Sequence, residues 1–200
     1  MAKIGIMGGT FDPIHTGHLI AAETARDCCG LDEVWFIPTS GPPLKDNGPA
    51  VPAESRLEMV RAAINDNPAF TCSDIELKRG GVSYSIDTVK ELTSLYPQHA
   101  FFYIIGSDRI NDLPRWHAVE ELAALVFFIG LERPSEKADV AALPRFLKER
   151  LIAAEMPAIG ISSTALRKQL REGRSVRYLL PEAVHQLIRR HGWYGTRGDD

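Results

Sequence analysis

Two histidines set among glycines form the part of this sequence best suited to chemistry. His15 and His18 are three residues apart, so both imidazoles fall at the start of a helix that we expect to begin near His18. The glycines Gly8, Gly9 and Gly17 let the backbone pass close to a ligand. A helix start attracts anions, so the pattern predicts imidazoles that donate hydrogen bonds to phosphate oxygens. A zinc pair is less favoured, because no third ligand is evident.

A second polar cluster lies near the other end of the chain, at Ile161-Ser162-Ser163-Thr164, with Arg167 in the following turn. Three hydroxyls at the start of a helix can cap that helix and can also donate hydrogen bonds to a phosphate. Taken alone, this cluster is better explained as an ordinary helix cap followed by a solvated basic face.

Several familiar catalytic motifs are absent from the sequence. Met7 stands where a G-x-G-x-x-G fingerprint would need its second glycine, and no Gly-Lys pair exists for a Walker A loop. Neither H-E-x-x-H nor G-x-S-x-G occurs. The sequence therefore gives no support to a dehydrogenase, a P-loop NTPase, a zinc protease or a serine hydrolase.

Composition narrows the class of protein further. The 200 residues are 44% hydrophobic and 24% charged, with a formal net charge of −3, which excludes a disordered chain and disfavours a nucleic-acid binder. The cysteines Cys28, Cys29 and Cys72 form no C-x-x-C pair, so reduced thiols are expected. No apolar segment approaches the roughly 18 residues of a membrane span. We therefore expect a cytoplasmic protein with no nucleic-acid and no membrane partner.

Short apolar runs alternate with amphipathic stretches, which predicts an α/β protein with a doubly wound, mostly parallel sheet and helices on both faces. The predicted strands are residues 3–7, 33–38, 70–77, 100–105, 126–130 and 158–161. The predicted helices begin near residues 18, 52, 86, 143, 163 and 181, and the last two form a small C-terminal helical part at about 162–194. We expect one domain over 1–194 and a frayed tail over 195–200.

Polar groups follow the carboxyl ends of four predicted strands. These ends are Gly8-Gly9, Pro38-Thr39, Gly106-Ser107-Asp108 and Ser162-Ser163-Thr164. Ligands of doubly wound sheets bind beyond the carboxyl ends of the strands, so the four segments are expected to gather around one ligand. The loop 39–52, which contains four prolines, is long enough to cover it.

Together the two clusters resemble the nucleotidyltransferases of the H-x-G-H class. The first half of the chain contains G-x-F-x-P-x-H-x-G-H, and I-S-S-T-x-x-R follows near its end. Within that class the chain is similar to the bacterial nicotinate-nucleotide adenylyltransferases, from about Lys3 to about Tyr194. The supporting stretches are Ile37-Pro38-Thr39, Pro42-Pro43-Leu44-Lys45, Ser83 to Thr88, Gly106-Ser107-Asp108 and Leu113-Pro114-Arg115-Trp116.

The resemblance implies a Rossmann-like fold and two small-molecule substrates, ATP and nicotinate mononucleotide. It implies an ATP site made of Gly8, Gly9, Thr10, Phe11, His15, His18, Gly106, Asp108, Ile161, Ser162, Ser163, Thr164 and Arg167. The implied catalytic residues are His15, His18 and Arg167. The implied acceptor site is made of Thr39, Lys45, Tyr84, Ser85, Trp116 and His117. Mg²⁺, held by phosphates and water rather than by protein ligands, is the implied cofactor.

Three positions depart from the pattern of those relatives. Leu44 stands where His is usual before Lys45, Ser85 replaces the more usual Thr, and His117 follows Trp116 where Tyr is frequent. Ser85 preserves the hydroxyl group. We expect Leu44 to remove one phosphate contact from that loop and His117 to alter the wall of the nicotinate pocket, whereas neither defining motif is altered.

Other functions stay open from the sequence alone. A nicotinamide-mononucleotide adenylyltransferase or a pantetheine-phosphate adenylyltransferase would share both motifs. A sensor that binds ATP without turning it over is the alternative from another class, but it has no need of His15, His18 and Arg167 together. The sequence also leaves a homo-oligomer open.

Overall fold

The computed structural model describes residues 1–40, 48–132 and 139–196. Its strands are β1 (Lys3–Gly9), β2 (Glu33–Pro38), β3 (Phe70–Cys72), β4 (Ala100–Gly106), β5 (Phe127–Glu132) and β6 (Leu151–Glu155). The helices of the first half are α1 (Thr16–Cys29), α2 (Ala53–Ile64), α3 (Ile75–Arg79) and α4 (Ser85–Leu95). Those of the second half are α5 (Ser107–Ile110), α6 (Val119–Leu125), α7 (Arg145–Lys148), α8 (Ser163–Arg171) and α9 (Glu182–His191).

The six strands form one sheet in the order β3-β2-β1-β4-β5-β6, and every neighbouring pair is parallel. The order runs outward from β1 in one direction and then from β4 in the other, so the switch point lies between these two strands. Parallel strands place all their carboxyl ends at one edge, and a crevice opens at the switch point. The predicted α/β, doubly wound, Rossmann-like fold is confirmed.

Alternate residues of each strand pack into two separate cores. On β2, Val34 and Phe36 belong to one core, whereas Trp35 and Ile37 belong to the other. Successive side chains of a strand point to opposite faces, so a nearly continuous apolar strand needs helices on both sides. Helices α1, α2, α8 and α9 cover the first face, and α4, α6 and α7 cover the second. The sheet edge that presents the site is thus fixed from both faces.

The strand predicted over residues 70–77 is wrong in its second half. The strand β3 stops at Cys72, and α3 begins at Ile75. Asp74 precedes this helix and forms an ion pair with Lys78, four residues later, at 2.9 Å. A pair with this spacing favours a helical turn over an extended strand.

The region between β5 and α8 also differs from the prediction. The helix expected to carry Leu143, Leu147 and Leu151 is reduced to α7, and Leu151 opens β6 instead. The strand predicted over residues 158–161 is absent, since residues 156–162 have no regular structure. Leu, Ala and Glu in β6 favour a helix, but pairing with β5 outweighs that local preference.

Three side chains expected to point inward are exposed: Cys28, Leu95 and Ala183. Neighbouring residues on a helix point about 100° apart, so Cys28 and Cys29 cannot both face the sheet. Leu95 and Ala183 lie in the terminal turns of their helices. Near the end of the described chain, Gly195 closes a 3₁₀ turn and the Thr196 hydroxyl donates to the Ile188 carbonyl at 3.1 Å, and the frayed tail over 195–200 stays a prediction. Residues 197–200 lie outside the described part.

Candidate active site

The first motif leaves β1 through glycines that the packing requires. A Cβ at Gly8 would lie 2.8 Å from the hydroxyl of Tyr103. A Cβ at Gly17 would lie 3.1 Å from Nδ1 of His15, so this glycine makes room for the imidazole. Real Cβ contacts are seldom so short, and larger residues would displace the two rings. Both glycines therefore fix the path of the motif.

The two histidines form one stacked unit at the start of α1. His15 is the residue before the helix, and its ring centroid lies 3.7 Å from that of His18. The backbone N–H of His15 donates to Nδ1 of His18 at 3.2 Å. Because Nδ1 accepts, the neutral His18 ring carries its proton on Nε2, which is then a donor. Phe11 presents its ring to His18 in an edge-to-face contact with centroids 5.1 Å apart.

The second motif packs directly against the first. Ser163 donates its hydroxyl to the carbonyl of Pro13 at 2.9 Å, and Nη1 of Arg167 donates to the carbonyl of Asp12 at 2.7 Å. Segments separated by about 150 residues thus share one backbone turn. Ser162 caps α8 by accepting from the N–H of Ala165 at 3.2 Å, as the simpler explanation of this cluster proposed.

The remaining members of the second motif lie beside this contact. Thr164 is exposed, and its Oγ1 lies 3.4 Å from Nη2 of Arg167. Ile161 is half-buried against the core that α8 covers. Thr164 and Arg167 therefore lie beside the turn at Asp12 and Pro13, which leads into His15.

Asp12, which sequence reasoning did not select, is the centre of this arrangement. Its buried carboxylate accepts from the hydroxyl of Tyr194 at 2.7 Å and from the N–H of Ala50 at 2.8 Å. Nη1 of Arg167 lies 3.8 Å from the same carboxylate. Burial, and then the hydrogen bond to Asp12, raise the pKa of Tyr194, so its hydroxyl stays protonated and donating. Asp12 thereby joins the first motif to the last turn of the chain.

Arg56 is a second residue that the sequence analysis missed. Its side chain is only 1% exposed, and it donates to the carbonyls of Thr10 at 2.6 Å and Thr39 at 2.7 Å. Burial lowers the pKa of the Arg56 guanidinium, and the nearby Asp12 opposes that shift. Arg56 stands where α2 faces the core, so a basic residue on an apolar helix face was the signal. It joins the ends of β1 and β2.

Four of the predicted acceptor residues gather in a separate group of rings and hydroxyls. Tyr84 precedes α4 and lies 4.6 Å from His117 between ring centroids. Ser85 begins α4, and its Oγ lies 2.9 Å from the hydroxyl of Tyr103. Tyr103 in turn makes an edge-to-face contact with Trp116, with centroids 5.6 Å apart. Tyr103 was not predicted, although it is the one hydroxyl in a continuous apolar strand.

The other predicted residues occupy three different places. The N–H of Thr39 donates to the carbonyl of Gly9 at 2.9 Å, which places Thr39 beside the first motif rather than among the four acceptor residues. Gly106 ends β4 and precedes α5, whose second residue is Asp108. Lys45 and the neighbouring Leu44 lie outside the described residues.

No metal-binding cluster is evident in the part of the chain that the structure describes, where three His, Cys, Asp or Glu side chains nowhere come together. Within the same residues, no helix is long and apolar enough to cross a membrane.

A parallel sheet that brings an H-x-G-H helix start against an I-S-S-T-x-x-R helix start defines a nucleotidyltransferase. Sequence comparison gives the family. The sequence model of the cytidylyltransferase-like family matches residues 6–169, so the chain belongs to that family.

Curated relatives narrow the family to one group. A protein of Oceanobacillus iheyensis, named a probable nicotinate-nucleotide adenylyltransferase, is 45% identical over 195 residues, which cover 98% of each chain. A protein of Exiguobacterium sibiricum with the same name is 45% identical over 194 residues, covering 97% of this chain and all of its own. At this identity over nearly the full length, the chain is a nicotinate-nucleotide adenylyltransferase family member.

Solved structures agree with the fold. The nicotinic acid mononucleotide adenylyltransferase of Plasmodium falciparum, complexed with NaAD, superposes with a TM-score of 0.80. The match covers 97% of this chain and 98% of that one at 23% sequence identity. A putative nicotinate-nucleotide adenylyltransferase of Vibrio parahaemolyticus gives a TM-score of 0.68 at 21% identity. At such low identity these matches support the architecture.

Proposed function

We propose that this chain joins ATP and nicotinate mononucleotide to give nicotinate adenine dinucleotide and pyrophosphate, a step of NAD biosynthesis. One observation carries the proposal. The hydrogen bonds from Ser163 to Pro13 and from Arg167 to Asp12 hold the second motif against the turn that leads into His15 and His18. The starts of α1 and α8 thus lie on either side of one turn, and together they carry the imidazoles, hydroxyls and guanidinium that can bind a triphosphate.

The reaction needs positioning and charge neutralisation more than proton transfer. The attacking phosphate of the acceptor nucleotide is already largely ionised near pH 7, because the second pKa of a phosphomonoester is about 6. No general base is required, and the difficulty is to bring two anions together in line. We assign to His18 and Arg167 the stabilisation of the negative charge that builds up on the leaving pyrophosphate. We assign to His15 and Thr10 the alignment of the triphosphate.

Mg²⁺ is the proposed cofactor and is taken up with ATP. Phosphate oxygens and water are the ligands that would hold it, because hydrated Mg²⁺ often takes few protein ligands. When bound, it would neutralise part of the triphosphate charge. The residues His15, His18 and Arg167 supply the remaining donors from the protein side.

The ring and hydroxyl side chains of the predicted acceptor site favour a pyridine nucleotide over phosphopantetheine as the second substrate. Tyr84, Trp116 and His117 offer ring faces and edges for a flat aromatic acceptor, and Ser85 offers a hydroxyl. A flexible phosphopantetheine arm has no aromatic ring that could pack on these side chains. Nicotinamide mononucleotide is the closer competitor, because it shares the ring and differs in one substituent, a neutral carboxamide in place of a carboxylate.

The Arg167→Lys variant is expected to lower kcat/KM for ATP about tenfold or more. Arg167 uses Nη1 on the Asp12 carbonyl and Nη2 on the Thr164 hydroxyl, and its planar fork has further N–H groups that can donate to a phosphate. A lysine ammonium has a single nitrogen and cannot match that geometry. Steady-state kinetics with varied ATP measures the loss, and Lys168→Arg, at an exposed neighbouring position, is the control. Unchanged constants for Arg167→Lys would remove Arg167 from the ATP site.

Product identity tests the proposed function. The purified chain, incubated with ATP, Mg²⁺ and nicotinate mononucleotide, is expected to form nicotinate adenine dinucleotide, identified by mass spectrometry. The same enzyme supplied with that dinucleotide and pyrophosphate should regenerate ATP. Binding of ATP without product in either direction would instead support the sensor.

We place this activity in the cytoplasm, where the three free thiols Cys28, Cys29 and Cys72 stay reduced. Burial raises the pKa of the Cys72 thiol to about 11, which makes it a poor nucleophile and a packing residue. The homo-oligomer stays a prediction, which light scattering at assay concentrations checks.

A further inference from the structure

Tyr103 places a polar group in the middle of an apolar strand. Its side chain is only 7% exposed in β4, where the other side chains are Ala, Phe and Ile. Burying a hydroxyl is costly unless it forms a hydrogen bond, and here the partner is Ser85 Oγ at 2.9 Å. Burial raises the pKa of Tyr103 to about 12, with the Ser85 hydrogen bond opposing the shift. The phenol therefore keeps its proton at every physiological pH.

The same ring contacts both halves of the proposed site. The Tyr103 hydroxyl lies where Gly8 of the ATP motif has no side chain, 2.8 Å from the place of a Cβ. On the acceptor side the ring touches Trp116 edge-to-face, and its hydroxyl meets Ser85. Tyr103 thus occupies the switch point between β1 and β4, next to the place where the two substrates must meet.

The direction of the hydrogen bond decides what Ser85 can do. A phenol is more acidic than an aliphatic hydroxyl, so it is the better donor of the pair. Either hydroxyl of the pair can be the donor; when Tyr103 donates, the Ser85 proton points elsewhere and is available to a substrate. Linked hydroxyls in a buried setting polarise one another, and hydrogen bonds to an ionised acceptor are the stronger ones.

We propose that Tyr103 is a positioning residue that orients the Ser85 hydroxyl toward the acceptor and so favours a pyridine carboxylate over a carboxamide. This inference rests on the proposed function and deepens it. Ser85 contacts the acceptor's ring substituent, and Tyr103 acts only through Ser85. Preference for the acid over the amide is therefore shared between two hydroxyls, one of which never touches a substrate.

The variant Tyr103→Phe removes one oxygen and keeps the ring. We expect kcat/KM for nicotinate mononucleotide to fall about tenfold, mainly through KM, and that for nicotinamide mononucleotide to fall less than about threefold. The KM for ATP should stay unchanged. The control is Tyr96→Phe, a tyrosine at the end of α4 that packs on Trp35, outside the site. The acid-to-amide ratio is kcat/KM for nicotinate mononucleotide divided by kcat/KM for nicotinamide mononucleotide. If this ratio is unchanged in Tyr103→Phe, the inference is overturned.

A double-mutant cycle with Ser85→Ala separates positioning from general damage. In the Ser85→Ala background, Tyr103→Phe should leave the acid-to-amide ratio as it is, and Ser85→Thr should retain the ratio of the unchanged chain. An equal loss with and without Ser85 contradicts the relay. If Tyr103→Phe does not fold, Ser85→Ala alone must lower the ratio, or the inference fails. Absence of turnover in the unchanged chain would overturn the proposed function instead.

Discussion

The His18→Ala variant is expected to turn over at least about 10²-fold more slowly than the unchanged chain, with a modest loss of folding stability. His18 is half-buried, and its Nδ1 accepts from the His15 backbone, so Nε2 is committed as a donor. A donor that is already oriented costs no reorganisation when negative charge builds on the leaving pyrophosphate. Removing it should lower kcat more than it raises the KM for ATP.

The matched control is His185→Ala, which removes a half-buried histidine from α9, away from both motifs. That variant should retain kcat and both KM values. If His18→Ala kept near-normal turnover, or if both variants lost the same activity, the assignment of His18 to the developing charge would be wrong.

The Arg56→Met variant is expected to lose about 3 kcal/mol of folding stability, since it removes a buried charge that satisfies two carbonyls. Methionine fills the space but leaves the oxygens of Thr10 and Thr39 without their donors. The ends of β1 and β2 then lose the link that fixes their spacing. Chemical denaturation gives the stability, and the KM for ATP should also rise because Thr10 belongs to the first motif.

Arg61→Met is the comparison for this variant, because Arg61 lies on the same helix with an exposed side chain. Its ion pair with Asp74 is long, at 3.7 Å, so its loss should cost less than about 1 kcal/mol. Equal destabilisation by the two substitutions would show that Arg56 matters for helix α2 in general and not for the two carbonyls.

The parts of the site that follow local rules could be predicted from the sequence. A histidine pair at a helix start and a run of hydroxyls before a second helix are readable because both features lie within a few residues. Their meeting was predicted for a reason that is only partly right, because the strand expected at 158–161 is absent and irregular residues 156–162 lead from β6 to the second motif. The structure adds the actual contact, from Ser163 to Pro13 and from Arg167 to Asp12.

The residues that the sequence did not reveal act over long distances. The hydrogen bond between Tyr194 and Asp12 spans 182 positions, and no local pattern marks either partner. Tyr103 and Arg56 carried a signal, since each is a polar group at a core-facing position. Such a residue usually has a specific buried partner. The error at β6 arose differently. Its residues locally prefer a helix, but pairing with β5 makes them a strand.

Metal-dependent pyrophosphate release from ATP is the decisive measurement of the proposed activity. Nicotinate mononucleotide, nicotinamide mononucleotide and phosphopantetheine are supplied side by side to the purified chain, each with and without Mg²⁺. We expect rapid release with nicotinate mononucleotide, slower release with the amide, none with phosphopantetheine, and loss of activity without the metal. If a preparation that binds ATP released no pyrophosphate with any of the three acceptors, the proposed activity would be contradicted.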